Sequence, residues 1–130
     1  MRKLLILTLL LLAPSLASAT IVRALSVSQM TQEADAIVHG TVVKKASGWN
    51  PEKTRIYTLT TIKVTADWKS PKASEGFVTV RQIGGTVDGL TQSVVGNAEL
   101  TLNEEVVLFL ERSHDGAVHF VMGMAQGKFE

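Results

Sequence analysis

Arg55-Ile56-Tyr57-Thr58-Leu59-Thr60-Thr61-Ile62-Lys63-Val64-Thr65-Ala66-Asp67-Trp68 is the stretch of the chain that decides its fold. β-branched and aromatic residues dominate it and alternate with polar ones at a period of two, as on a strand with one buried face. It is long for a strand in a globular protein. Its apolar phase changes: Tyr57 and Leu59 share one face, whereas Ile62, Val64, Ala66 and Trp68 share the other. A β-bulge near Thr60-Thr61 accounts for the shift, because one extra residue bends the strand and lets it serve both sides of a closed barrel.

Before this stretch, Ala36 to Lys45 reads as a first strand, with Ile37-Val38 and Val42-Val43 around Gly40, where the missing side chain marks a bend or bulge. Ser47 to Lys53, with Gly48 and Asn50-Pro51, is the turn that makes the two strands a hairpin. Ser70-Pro71 ends the long strand. Phe77 to Ile83 is a third, with Val78 and Val80 on one face and Thr79 and Arg81 on the other. Gly84 to Asn103 is rich in Gly, Thr and Asn and reads as a long loop with one short strand; ordered loops of that length are often functional. Glu105 to Arg112 is apolar on both faces and is expected to be central and covered twice. Asp115-Gly116 signals a hairpin turn into Ala117 to Met124, with Val118, Phe120, Met122 and Met124 inward and His119 and Gly123 outward.

Upstream, Ser26 and Gln29 have the spacing of a capping box, and Leu25 and Met30 that of a hydrophobic staple, so a helix is expected over Val27 to Ala34. The elements predict an all-β fold: a five- to six-stranded OB-like barrel with one short N-terminal helix. An open β-sandwich is the rival arrangement.

The chain opens with Arg2 and Lys3, continues through the apolar run Leu4 to Leu12, breaks at Pro14 and reaches Ala17-Ser18-Ala19. That order predicts a secretory signal peptide over residues 1–19, cleaved after Ala19, since the apolar run is too short to span a membrane. Removing it leaves a single predicted domain over 20–130, exported to a periplasm or beyond the cell. A chain of that size buries roughly 65% of its extended surface on folding. With no cysteine anywhere, stability must come from core and sheet, and lipidation at a cleavage-site cysteine is excluded.

Without Arg2 and Lys3 the 13 basic residues become 11, set against 12 acidic ones. A net charge near −1 gives no footing for nucleic acid or an anionic membrane surface, both of which need concentrated positive charge. Every later apolar run is interrupted by charge, so no membrane span is expected after residue 19.

No motif specifies catalysis. Gly-x-Ser-x-Gly is absent. The acidic neighbours Glu104-Glu105 alternate across a strand and so do not form a glycosidase-like pair. Gly123-Met124-Ala125-Gln126-Gly127-Lys128 has one residue too few for a phosphate loop and Phe129 where a hydroxyl is needed. His39 lies in the first strand beside Gly40 and reads as an ordinary strand histidine. His114, Asp115 and His119 flank the second hairpin turn and are the only candidates for a metal-dependent hydrolase, at a spacing that matches no standard zinc pattern. No metal or cofactor is expected. The residues best placed for recognition are Arg81 and Gln82, donors at a strand end, and the glycines that follow them, Gly84, Gly85, Gly89 and Gly96.

Glu33 to Val42, Val78 to Gly85, Asn103 to Leu110 and Gly127-Lys128-Phe129 together resemble a group of short exported bacterial proteins of unknown function. More distantly, the Ala34-Asp35-Ala36-Ile37-Val38-His39-Gly40-Thr41-Val42 strand, the long second strand and Glu104-Glu105-Val106-Val107-Leu108-Phe109-Leu110 look like the netrin-type OB barrel of tissue inhibitors of metalloproteinases. That resemblance implies binding to a protein partner, a co-secreted protease being the class it suggests. Those inhibitors act through an N-terminal cysteine, and a chain beginning at Thr20 has none, so their mechanism does not carry over. The expected function is a non-enzymatic exported interaction module that presents Arg81 to Gly96 to a protein partner; a structural role in the cell envelope is the other non-enzymatic reading.

Overall fold

The computed structural model describes residues 22–69 and 76–130. The predicted signal segment and the Ser70-Pro71 strand end lie outside them. Helix α1 (Val27–Glu33) comes first, then β1 (Ala36–Trp49), β2 (Ile56–Lys69) and β3 (Phe77–Ile83). A small hairpin of β4 (Gly85–Val87) and β5 (Leu90–Gln92) follows, then β6 (Glu105–Arg112), β7 (His119–Val121) and β8 (Lys128–Phe129).

Five strands close on themselves in the order β1-β2-β3-β7-β6 and back to β1. All pair antiparallel except β3 and β7, whose parallel pairing rests on Val80 opposite His119. This is the all-β, OB-like barrel with one short helix that the sequence predicts, and its closure rules out the open sandwich. Among the described residues, no helix is long and apolar enough to cross a membrane.

The helix starts as predicted. Ser26 Oγ accepts from the Gln29 N–H at 3.1 Å, and Gln29 Oε1 accepts from the Ser26 N–H at 2.9 Å. Leu25 and Met30 both join an apolar cluster with Ala34, Ile37, Phe109 and Met122 on the outside of the barrel. Strand β6 accordingly serves two cores. Val106, Leu108 and Leu110 point into the barrel, while Val107 and Phe109 face the helix.

Strand β1 runs four residues beyond its predicted end, so the turn narrows to Asn50–Arg55. There Asn50 Oδ1 accepts from the N–H groups of Thr54 and Arg55, at 2.8 and 2.9 Å. The bend at Gly40 is real. Register shifts between His39 and Gly40, and a Cβ on Gly40 would lie 2.3 Å from the Lys63 carbonyl oxygen.

Two expectations about phase fail. In β2, residues Ile56, Thr58, Thr60 and Ile62 all face inward and Tyr57 and Leu59 face out, so no shift occurs at Thr60-Thr61. The register change there belongs to β1, where Val43 is the extra residue between pairs Val42–Ile62 and Lys44–Thr61. Threonine side chains fill barrel positions that hydrophobicity alone assigns to larger apolar groups. In β7, Val121 is the residue that enters the barrel core, half-buried His119 shares its side, and Phe120 turns outward. Gly84 to Asn103 also holds more structure than one short strand, because β4 and β5 pair around Asp88-Gly89, both with positive φ.

The two interior threonines differ in their hydrogen bonds. Thr58 Oγ1 donates to the Gly84 carbonyl at 2.7 Å and meets Ser47 Oγ at 2.8 Å. Thr60 is fully buried, and its Oγ1 has no partner among the described residues. Removing an unpartnered hydroxyl is expected to help, whereas removing Thr58's strands the Gly84 carbonyl. In urea unfolding, Thr60→Val should therefore gain about 1 kcal/mol and Thr58→Val lose about 1–3 kcal/mol. A loss for both would show that Thr60 has an acceptor after all.

Lys128 fastens the end of the chain to the barrel. Its Nζ lies 2.6 Å from Glu104 Oε1, with side chains only 12% and 18% exposed, and also reaches Glu130 and the Glu99 carbonyl. The Lys128 hydrogen bond, and then the Thr101 N–H, hold the Glu104 carboxyl below its ordinary pKa. A depressed carboxyl contributes stability that is complete above its unfolded-state pKa and lost as pH falls through the folded-state value. Glu104→Gln should thus cost about 1–3 kcal/mol at neutral pH, with the gap to the parent chain shrinking as pH falls below the ordinary carboxyl value of 4.5. A gap that stays constant with pH would dissociate the pair from acid unfolding.

Candidate functional site

The outer face of β2, β3 and β7 carries a row that the antiparallel register builds. Leu59 stands opposite Arg81 and Tyr57 opposite Ile83, which places Tyr57 diagonally beside Arg81. Across the seam between β3 and β7, the outward turn of Phe120 brings its ring to the other side of the same arginine. The Arg81 guanidinium carbon sits 5.2 Å from the Tyr57 ring centroid and 5.1 Å from that of Phe120. Both distances fall within cation–π range.

Two depressions flank this stack. A cleft of about 320 Å³ is walled by Ile83, Val94, Val121 and Met124, with the amides of Gln82 and Asn97 at its margin. A more open groove of about 520 Å³ runs past Trp49, Pro51 and Leu59 to Asp115 and Val118. Arg81 borders both. Its Nε is buried with no acceptor among the described residues, and none of the ion pairs there includes it. Asp115 lines the groove, but its carboxylate is engaged by the Ser113 hydroxyl and the Ala117 N–H. Those bonds, and more weakly the Arg81 charge, lower its pKa.

Of the predicted recognition residues, Gln82, Gly84 and Gly85 line one open groove of about 440 Å³ together with Gln92 and Ser93, whereas Arg81 lies on the outer face of the barrel. Gln82 points toward the barrel end, where its Nε2 donates to the Ala98 carbonyl at 2.8 Å. Gly84 is held on both sides, donating to the Ile56 carbonyl and accepting from Thr58. At Gly85, φ is +135° and a Cβ would strike the hydroxyls of Thr58 and Ser47, so glycine is needed there for packing. Gly89 lies in the β4–β5 turn with open space around it, and Gly96 lies near Met124. Of the six, Arg81 alone meets the aromatic rings. Phe120 escapes the sequence reading because it is placed inward there, and Tyr57 because it is read only as sharing a face with Leu59. The signal that finds Tyr57 is the diagonal neighbour relation across the β2–β3 pair.

The other candidates disperse. His39 Nε2 lies 2.6 Å from Glu105 Oε1 and stacks on Trp68, whereas Glu104 turns to Lys128. Burial, followed by the Arg112 charge, pushes the His119 imidazole pKa down, with Asp35 opposing. Among the described residues, no three His, Asp or Glu side chains converge as a metal site, so His114, Asp115 and His119 are not brought together. The Gly123 to Lys128 run is a turn that stitches the chain to β6: the Phe109 N–H donates to the Gly127 carbonyl, and Lys128 enters β8.

Comparison with protein-family models, with curated proteins and with solved structures finds no match.

Replacing Arg81 with Met keeps an apolar stem between the rings and removes the charge. Two cation–π contacts are given up, each worth about 0.5–2 kcal/mol, while a buried N–H without an acceptor is relieved of a cost of about 1–3 kcal/mol. The expected net change is under about 2 kcal/mol by those opposing magnitudes. Urea unfolding checks it; a larger loss would make Arg81 a structural residue first.

Proposed function

We propose that the chain is an exported, non-enzymatic interaction module that engages a protein partner through the outer face of β2, β3 and β7, with Arg81 at its centre. The observation that carries this reading is a guanidinium stacked between two rings with no ion-pair partner among the described residues. Tyr, Trp and Arg dominate the energetics of protein interfaces, since they offer large rigid contact area and directed donors. Trp49 and Leu59 add exposed apolar area beside the stack, 36% and 42% exposed. Export follows from the residue 1–19 pattern, and a co-secreted protease is the partner class that the netrin-type resemblance suggests.

This reading keeps Arg81 from the sequence-based expectation and moves the centre of recognition away from the glycines. Affinity capture against the exported proteins of the same source, comparing the parent chain with Arg81→Glu and Leu90→Ser, tests it. One saturable partner is expected, weakened by about thirtyfold or more in Arg81→Glu and retained by Leu90→Ser. Loss with Leu90→Ser alone would place the site on the β4–β5 hairpin.

A further inference from the structure

The two depressions beside Arg81 differ in charge. The larger groove includes Asp115, whereas among the described residues Arg81 is the sole charged one lining the 320 Å³ cleft. Every other wall of that cleft is apolar, aromatic or amide. A lone cation in such a setting attracts an anion more strongly than it would in water, because the walls screen poorly. Arginine in particular offers planar paired donors that match a carboxylate.

The cleft's size narrows the ligand. At about 320 Å³ it lies at the small end of ligand pockets. One positive charge balances one negative charge. Ile83, Val94 and Met124 would cover a short aliphatic or aromatic body. The amide of Asn97 is fixed beside it, because its Nδ2 donates to the Ile83 carbonyl at 2.7 Å. That bond ties the Val94 to Asn97 segment to the end of β3, so one wall of the cleft is set before any ligand arrives.

We infer that this cleft binds an organic monocarboxylate with a short apolar body, its carboxylate on Arg81 and its body against Ile83, Val94 and Met124. The inference rests on Arg81 as the centre of recognition and deepens that reading by naming the chemistry a partner would offer: a chain-terminal carboxylate on an apolar residue. A free short-chain acid carries the same chemistry.

The test is a titration of the isotopically labelled protein, following its amide chemical shifts. The probes are isocaproate and its neutral counterpart isocaproamide, then acetyl-Ala-Ala-Leu with a free C-terminus and the same peptide amidated. Isocaproate should shift Arg81, Ile83, Val94, Asn97 and Phe120 saturably, with a Kd on the order of millimolar for so few atoms, and isocaproamide should not. Arg81→Met should bind roughly tenfold to a hundredfold more weakly, with the remaining spectrum unchanged.

Saturation by the free-acid peptide and not by its amide identifies a protein C-terminus as a source. Saturation by isocaproate alone upholds the cleft as a carboxylate site and counts against the protein-partner reading. Equal binding of acid and amide, undiminished affinity in Arg81→Met, or no saturation by either acid overturns the inference. If a partner is still captured through Arg81 in that last case, the interaction module stands and only the carboxylate assignment falls.

Discussion

At Gly40 the backbones of β1 and β2 approach more closely than any side chain permits, and the closure of the barrel turns on that contact. Gly40 is paired on both sides, to Val64 in β2 and Val106 in β6. It is also where register slips. A strand that must curve between two neighbours needs a point where it can coil sharply, and a residue without a Cβ provides one. Three residues on, the extra residue Val43 turns the rest of β1 away from β6. From there β1 and β2 run on together toward the Asn50 turn, and β4 packs beneath them through Gly85, Thr58 and Ser47.

That geometry sets the outer face around Arg81. Because β2 keeps one phase through Ile56 to Ile62, its odd-numbered residues form a continuous outer row, and β3 adds Arg81 to it in register. The seam between β3 and β7 is a single bridged pair, the least hydrogen-bonded join in the barrel. Arg81 and Phe120 meet across that seam. The same contact therefore supplements a weak join and displays a charge, so the centre of the proposed interface also bears on local stability.

The parts of this architecture legible in the sequence are those set by local chemistry. The capping box at Ser26 and Gln29, the twice-covered strand from Val106 to Leu110 and the limits of β3 depend on neighbours in the chain, and they emerged as read. Errors arose where tertiary packing overrode hydrophobicity. Thr58 and Thr60 look like surface residues, yet a narrow barrel takes their volume, and a hydroxyl that bonds Gly84 makes one of them a better fit than valine. Phe120 looks like core, yet the barrel has room for Val121 and the helix side takes Met122. The Asp88-Gly89 pair was a hairpin signal in plain view, hidden within a glycine-rich stretch. The netrin-type likeness and the glycine-based site remain expectations; Gln82, Gly84 and Gly85 line a groove of their own, while Arg81 meets the aromatic rings.

The pairing of β1 with β6 has a consequence for how the chain reaches this state. His39 and Glu105, which meet across that pairing, are 66 residues apart. A ribosome delivers β1 long before β6, so the first strand waits with one flank open and with Ile37 on one face and Val38 and Val42 on the other uncovered. Topologies dominated by such distant pairings fold slowly, on the order of milliseconds to seconds, and an open strand edge invites pairing with another chain in the interval. The hairpin with β2 covers one flank early. The other stays bare until β6 has emerged, so the order of synthesis fixes an interval in which the edge of β1 is open to pairing with another chain.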